Sequence, residues 1–426
     1  MKDNQNITMN GENSSSLVGR VIKFLEERRN RILRGEINCI PLPFNRFKSE
    51  MPGIEQGSYY LISGGTKAGK SQLANYLFVY NTILYSYYNP EEVKPKIFYY
   101  NLEETPEAIT LRFMSYLLNS LFNIIVSPTE LKSTDKDKPL SQEVLEMLNK
   151  KEFLDIMNYY EQCISFRSSK NPTGCWKEVK AYADANGITT YDTIKIKDDL
   201  GLENTVKKFK YYTPNNPNEY VFIIVDHISL AENERGLDLR QTINKWSEYM
   251  IIFRNRYNYI PVVIQQQNIE TVGLEAFKQN KIRPTMAGLS DSKATGKDCT
   301  VMIGITNPYS YELPNYLGYD VQKFKDHFRV MEIVLNRNGR SNGICPLFFD
   351  GAINSFKELP LPNDVININK VYSYLEIRKK STTFFISKIN NNLQRTENHN
   401  IFAKVFNKIK IKLNGITNKT KRSSEL

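Results

Sequence analysis

An α/β fold, with a mainly parallel twisted sheet flanked by helices, is predicted by two features of the sequence. The first is a set of apolar runs without polar alternation, clearest in residues 220–226 (YVFIIVD) and 260–266 (IPVVIQQ). A strand that is apolar at every position needs cover on both faces, as a central strand of a parallel sheet has. The second is the interleaving of such runs with segments of helical period, which argues βαβ units. The chain has 426 residues, 41% of them hydrophobic, so a large core is within reach.

The elements follow in order. Residues 16–34 place Leu17, Val21, Phe24, Leu25, Ile32 and Leu33 on one helical face. Such a helix either packs on its own domain or serves as an arm that docks on a neighbouring subunit. Residues 58–62 read as a short strand, followed by a glycine-rich turn and a helix from about Ser71. Residues 96–102 (KIFYYNL) read as a strand, with a helix over 106–121 behind it. From 127 to 217 the pattern weakens: helices are expected at 141–160 and 176–186, a turn at 214–217, and loop insertions elsewhere. A helix at 238–256 has Asp238 as its N-cap. Residues 300–306, 329–336 and 344–350 supply three more strands. The expected organisation is an N-terminal arm (1–40), one core domain (41–362) and an appended extension (363–426), partly disordered, with a basic helix near 401–413.

Composition excludes several classes. No apolar run approaches the roughly 18–20 residues of a membrane span. The polar start of the chain lacks the basic and apolar segments of a signal peptide, so a cytoplasmic protein is expected. The five cysteines are scattered and show no C-x-x-C spacing, which argues against structural zinc and a disulfide framework. The net charge of +11 is localised: residues 365–426 hold 13 Lys/Arg against 3 Asp/Glu, while the rest of the chain holds 44 against 43. A basic body therefore cannot be invoked for nucleic-acid binding. The tail, with Phe384, Phe385, Phe402 and Phe406 among its lysines, has the composition for phosphate neutralisation with base stacking, or for a solvated tail.

The strongest chemical signal is Gly64-Gly65-Thr66-Lys67-Ala68-Gly69-Lys70-Ser71, a complete G-x-x-x-x-G-K-[ST]. It follows a strand and opens a helix, the context that gives the motif its meaning. Glycines let backbone N–H groups turn towards phosphate oxygens, and the helix N-terminus adds partial positive charge. Lys70 reaches the β- and γ-phosphates of ATP, and the Ser71 hydroxyl ligates Mg²⁺. Asp226 ends a buried strand at the edge where ligands bind in doubly wound sheets, and supplies a second contact to the Mg²⁺ shell. Glu103, just past another strand, is positioned to polarise an attacking water, with Glu104 as its competitor. Of the run Gln265, Gln266 and Gln267, Gln266 is preferred as the amide that senses the γ-phosphate. Arg337, in Leu335-Asn336-Arg337-Asn338-Gly339-Arg340, can serve in trans as a finger on a neighbour's ATP, with Arg340 as the alternative.

These residues, in this order, resemble the DnaB family of replicative helicases, of the RecA-like P-loop type. The similarity runs over roughly residues 38–361. It includes the approach to the P-loop (Pro41 to Phe47, then Gly53 to Gly57), Asn101-Leu102-Glu103 with Glu107 and Arg112, and Arg283-Pro284 followed by Leu289, Ser292 and Asp298. Asn336-Arg337-Asn338-Gly339 matches the family's finger motif. The resemblance implies a RecA-like core and an ATP-dependent DNA helicase acting as a homo-hexamer. It further implies ATP hydrolysis at subunit interfaces, single-stranded DNA in the pore, a docking arm helix, and a primase or loader as partner. The short N-terminus and Asn/Lys/Tyr-rich composition look most like versions encoded by bacteriophages. Three departures stand out. The family's N-terminal collar is missing, Leu335 replaces the lysine two positions before the finger, and Ser290 replaces an arginine in the DNA loop, where Lys293 and Lys297 are the remaining candidates for phosphate contact. The rival readings are a DNA-stimulated ATPase that does not unwind and a non-catalytic, ATP-gated assembly protein.

Overall fold

In the computed structural model, the side chains of Tyr60–Gly64, Glu219–Asp226 and Ile260–Gln266 are buried almost throughout, as strands covered on both faces must be. The structure describes residues 17–197, 203–268 and 282–384. The chain divides into two compact units, Met1–Ile368 and Asn369–Leu426. The expected basic helix near 401–413, with Phe385, Phe402 and Phe406, lies outside the described residues. A helix spans Val365–Phe384. No helix among the described residues is long and apolar enough to cross a membrane.

In the first unit, helix α1 (Leu17–Leu33) precedes a two-residue ladder, β1 (Ile40–Pro41) with β2 (Gly53–Ile54). Strand β3 (Tyr60–Gly64) leads through the P-loop into α2 (Lys70–Ala74), which continues through a π-helical segment, Asn75–Tyr80, into α3 (Asn81–Tyr88). Next come β4 (Lys94–Asn101), α4 (Pro106–Phe122), α5 (Pro128–Leu131), α6 (Gln142–Leu148), α7 (Lys151–Cys163), β5 (Ile164–Arg167) and α8 (Pro172–Ala185). A hairpin of β6 (Gly187–Lys197) and β7 (Glu203–Pro214) precedes β8 (Glu219–Asp226), α9 (Leu239–Tyr257) and β9 (Ile260–Gln266). Then follow α10 (Ala294–Asp298), β10 (Val301–Thr306), the small pair β11 (Asn315–Tyr316) and β12 (Tyr319–Asp320), and β13 (Phe328–Asn336), β14 (Ile344–Asp350) and β15 (Ser355–Glu358).

Nine strands form one sheet in the order β15-β14-β13-β10-β3-β9-β8-β4-β5. The pairs from β10 to β5 are all parallel, and β13, β14 and β15 extend the sheet antiparallel. Alternate residues of the central strands feed two cores. Ile62, Tyr99, Ile224 and Ile264 face Leu77, Phe113 and Ile156 on one side. Leu61, Tyr100, Ile223 and Val263 face Val179, Trp246 and Met250 on the other.

Several expectations are refined. The helix read over 141–160 is two helices, because the Asn149 amide donates to the Leu145 carbonyl (2.7 Å) and ends α6 before Lys150 caps α7. Asp238 caps α9 through a reciprocal pair with Gln241. The β6–β7 hairpin, β5 and β15 were not in the sequence reading. In the hairpin the reason is burial: residues 191–195 and 205–208 are exposed, so no core imposes an apolar pattern on them.

The arm does not bury its stripe on its own domain. None of the α1 side chains is buried, and Leu17, Phe24 and Leu33 are 68%, 56% and 67% exposed. The helix is fastened by polar contacts instead: Arg28 to Glu55, Arg31 to the Ile37 carbonyl and to Asn218, and Asn38 to the Arg28 carbonyl.

Because the outer hairpin buries so little, replacing residues 191–210 by Asn-Gly is expected to move the thermal midpoint by less than about 4 °C. A calorimetric scan checks this, and a loss of cooperative unfolding would show that the ribbon is integral to the core.

Candidate nucleotide site at the carboxyl edge of the sheet

The sequence forces the P-loop into a narrow geometry. A Cβ at Gly64 would lie 2.3 Å from the Ile305 carbonyl oxygen, so only glycine lets β3 run beside β10 there. Gly69 sits at φ +99°, a conformation glycine adopts without strain, and immediately caps α2. Between them the loop wraps the Lys70 ammonium, which donates to the Gly65 carbonyl (2.9 Å). Burial pushes the Lys70 pKa down, and the charges of Asp226 and Glu103 oppose that shift.

Asp226 ends β8 beside this loop, almost fully buried. Its Oδ1 accepts from the Ser71 hydroxyl (2.9 Å) and its Oδ2 from the Tyr99 hydroxyl (3.1 Å). Burial pushes its pKa up to about 6, against the lowering effect of these two donors. A buried carboxylate and a primary hydroxyl in contact are the hard oxygen donors that Mg²⁺ takes, with waters and phosphates completing the shell. The donor set therefore fits Mg²⁺, and Ser71 and Asp226 are the residues that could hold it.

Glu103 and Glu104 have different surroundings. Glu104 is bound in a two-pronged ion pair by Arg112, whereas Glu103 stays half exposed and faces His227, Oε2 to Nε2 3.7 Å. Glu103 also belongs to the electrostatic environment of Lys70. The three glutamines are likewise separated by their partners. Gln265 donates to the carbonyls of Ser290 and Ser292 (2.5 and 2.7 Å), and Gln267 to Ser63 (2.8 Å) and the Thr285 carbonyl (3.0 Å). Gln266 donates to the Thr66 hydroxyl of the P-loop (2.8 Å). Lys70, Ser71, Glu103, Asp226 and Gln266 thus gather at the carboxyl edge.

Arg337 lies elsewhere. Asn336 pairs with Val301, and Val301 with Tyr60, so the end of β13 sits at the amino edge of the parallel strands. There Arg337 donates to the Cys299 carbonyl (2.9 Å) and to the Lys297 carbonyl. Arg340 is exposed nearby. Lys293 and Lys297 are exposed at the two ends of the segment that carries α10. Arg283, in the same region, forms an ion pair with the buried Glu332.

Four features escaped the sequence reading. Tyr99 and His227 touch the site carboxylates, and a hydroxyl within a strand buried on both faces was the available signal for Tyr99. Arg329, 2% exposed at the start of β13, donates to the P-loop carbonyl of Ala68 (2.8 Å) and to the Asp326 side chain (3.0 Å). Finally, a cleft of about 350 Å³ opens beside the P-loop, with Lys67, Gly69 and Gln72 on one wall and Arg329, Phe349 and Asn354 on another. No sequence signal marks a cleft assembled from segments this far apart.

The arrangement is that of a P-loop nucleotide-binding core of the RecA-like α/β type. The fold is that of DnaB-like helicase ATPase domains. One solved structure, the ATPase domain of a helicase, aligns over 81% of this chain and 99% of its own length, with a TM-score of 0.56 and 13% identity. A DnaB-like replicative helicase, solved in a study of its interactions with primase, aligns over 80% of this chain at TM-score 0.54 and 13% identity. The match spans 66% of that second protein. No protein-family model and no curated protein sequence matches the chain.

The raised pKa of Asp226 has a definite sign. The folded state holds its proton up to about pH 6, above the usual carboxylate value of 3.8, so this residue's contribution to stability falls as pH rises between the two. The thermal midpoint of the metal-free wild type, minus that of Asp226→Asn, is therefore expected to decline from about pH 4 to about pH 6 and level off above. Paired melts across that range check it, and a difference that rises with pH would refute it.

Proposed function

We propose that this chain is an ATP hydrolase that drives a DnaB-like DNA helicase. The observation that carries the reading is the convergence of Lys70, Ser71, Asp226, Glu103 and Gln266 at one sheet edge, on a DnaB-like fold. In this reading residues 64–71 cradle the triphosphate and Lys70 neutralises charge on the transferring phosphoryl group. Ser71 and Asp226 hold Mg²⁺, which when bound bridges phosphate oxygens and offsets their charge. Glu103 orients the attacking water, and Gln266, beside Thr66, senses the γ-phosphate. The cleft beyond Gln72 receives the rest of the nucleotide.

Residues 41–362 form the motor domain in this reading, residues 1–40 the arm and 363–426 a basic extension. Two observations favour an assembled ring with single-stranded DNA as partner, which we take to be a homo-hexamer. The uncovered stripe of α1 suits docking on a second copy. Arg337 stands at the edge opposite its own P-loop, so it can serve only a neighbour's site. Lys293 and Lys297 are the proposed DNA contacts, a primase or loader the further partner, and a bacterial host's cytoplasm the setting.

Lys70→Ala is expected to lower turnover by at least 10³-fold, and ATPase activity near wild type in that variant would end the site assignment. Arg337→Ala is expected to bind ATP normally and lose turnover by a factor on the order of 10³ in the assembled protein. Strand displacement on a fork with a 5′ tail separates the readings. Unwinding supports the helicase, DNA-stimulated hydrolysis without unwinding supports a non-unwinding ATPase, and nucleotide binding without turnover supports a gated assembly protein.

A further inference from the structure

His227 follows Asp226 directly, at the tip of β8, where the Leu102 N–H donates to the Asp226 carbonyl (2.8 Å) and keeps the ends of β4 and β8 together. That junction sets the imidazole of one strand end against the carboxylate of the other. His227 is partly covered, and its Nε2 lies 3.7 Å from Glu103 Oε2. Its Nδ1 is buried without a hydrogen-bond partner among the described residues. The polar interaction of the ring with a described neighbour is therefore the one it offers Glu103.

Glu103 needs such a neighbour. Glu104 has a guanidinium fixing both of its oxygens. Glu103 is 52% exposed on a bend after β4, with no hydrogen bond to another described side chain. A carboxylate meant to polarise a water must stand within a few tenths of an ångström of its working position, and a misplacement of about 1 Å can cost on the order of 10²-fold. Two residues beyond His227, the Ser229 hydroxyl donates to Asp291 (2.6 Å), in the loop that leads to Lys293. The short run from Asp226 to Ser229 thus touches the Ser71 hydroxyl, Glu103 and that loop in turn.

We infer that His227 is a positioning residue for Glu103, restraining the water-orienting carboxylate through Nε2 and drawing its own position from the strand tip and the Ser229–Asp291 contact. The inference rests on the role proposed for Glu103. It assigns the imidazole no proton to give or take. It holds a neighbouring group in place, so removing it affects the chemical step and leaves nucleotide binding intact.

The test uses the full chain with ATP, Mg²⁺ and single-stranded DNA. His227→Phe keeps a flat ring of similar size and removes a buried nitrogen that has no partner, so folding is expected to survive; a thermal midpoint within about 4 °C of wild type confirms it. For this variant kcat is expected to fall by about 10–100-fold while KM and the affinity for a non-hydrolysable ATP analogue stay within about twofold. His227→Gln, which restores an N–H donor at nearly the same reach, is expected to recover at least half of that loss on a logarithmic scale. In the Glu103→Gln background, His227→Phe is expected to have no further effect, because the group it positions is gone. Wild-type kcat in a folded His227→Phe protein, or equal losses in the Phe and Gln variants, overturns the inference while Glu103 keeps its role. If Glu103→Gln itself turns over at the wild-type rate, the reading of Glu103 fails first and the inference falls with it.

Discussion

One buried negative charge organises this molecule. The Asp226 carboxylate sits at the tip of a strand covered on both faces, where water cannot solvate it. Burying a lone carboxylate is costly, so each oxygen needs a donor, and the fold brings one from each of two other segments. Ser71 arrives from the helix after the P-loop and Tyr99 from the adjacent strand. The Lys70 ammonium, held by the Gly65 carbonyl, supplies the compensating charge in the same space. None of these partners could reach Asp226 unless β3, β4 and β8 ended at one edge, and the parallel pairing makes them do so.

The remaining polar groups around this centre connect it outwards. Gln265, Gln266 and Gln267 leave β9 in three directions: to the 290–292 loop, to Thr66, and to Ser63. The loop after β9 and the loop after β3 thereby share one strand end. A shift in either changes the hydrogen bonds available to the other, which gives a physical route between a phosphate and the Lys293–Lys297 segment. Burial of these amides makes the coupling firm, since an unmade bond there would cost about 1–3 kcal/mol.

Much of this was legible in the chain because the physics is local. The glycine-rich turn, the four apolar residues before Asp226 and the run before Gln265 each carry their meaning within a few positions. The parallel sheet follows from strands too apolar to face water. What stayed hidden depends on distant partners or on exposure. The β6–β7 hairpin shows no core alternation because its outer half has no core. Arg329 looks like the first residue of a strand, and only the fold reveals that its guanidinium grips Ala68. The choice between Glu103 and Glu104 needed Arg112, a full helical turn and more away, to occupy one of them. The stripe on α1 was visible, but whether its own domain covered it was not.

Arg329 and Arg337 stand at opposite ends of a single strand. One holds the backbone of the chain's own P-loop; the other projects from the far edge, roughly 26 Å away at the usual rise per residue. A strand bonded to neighbours on both sides does not stretch, so β13 behaves as a push-rod through the middle of the sheet. Any movement that a change in the P-loop imparts to Arg329 arrives at Arg337 with little loss. In a closed ring of such chains, each copy would report the occupancy of its own cradle to the next copy in one rotational sense only, and the order of firing would be written into the direction of a β-strand.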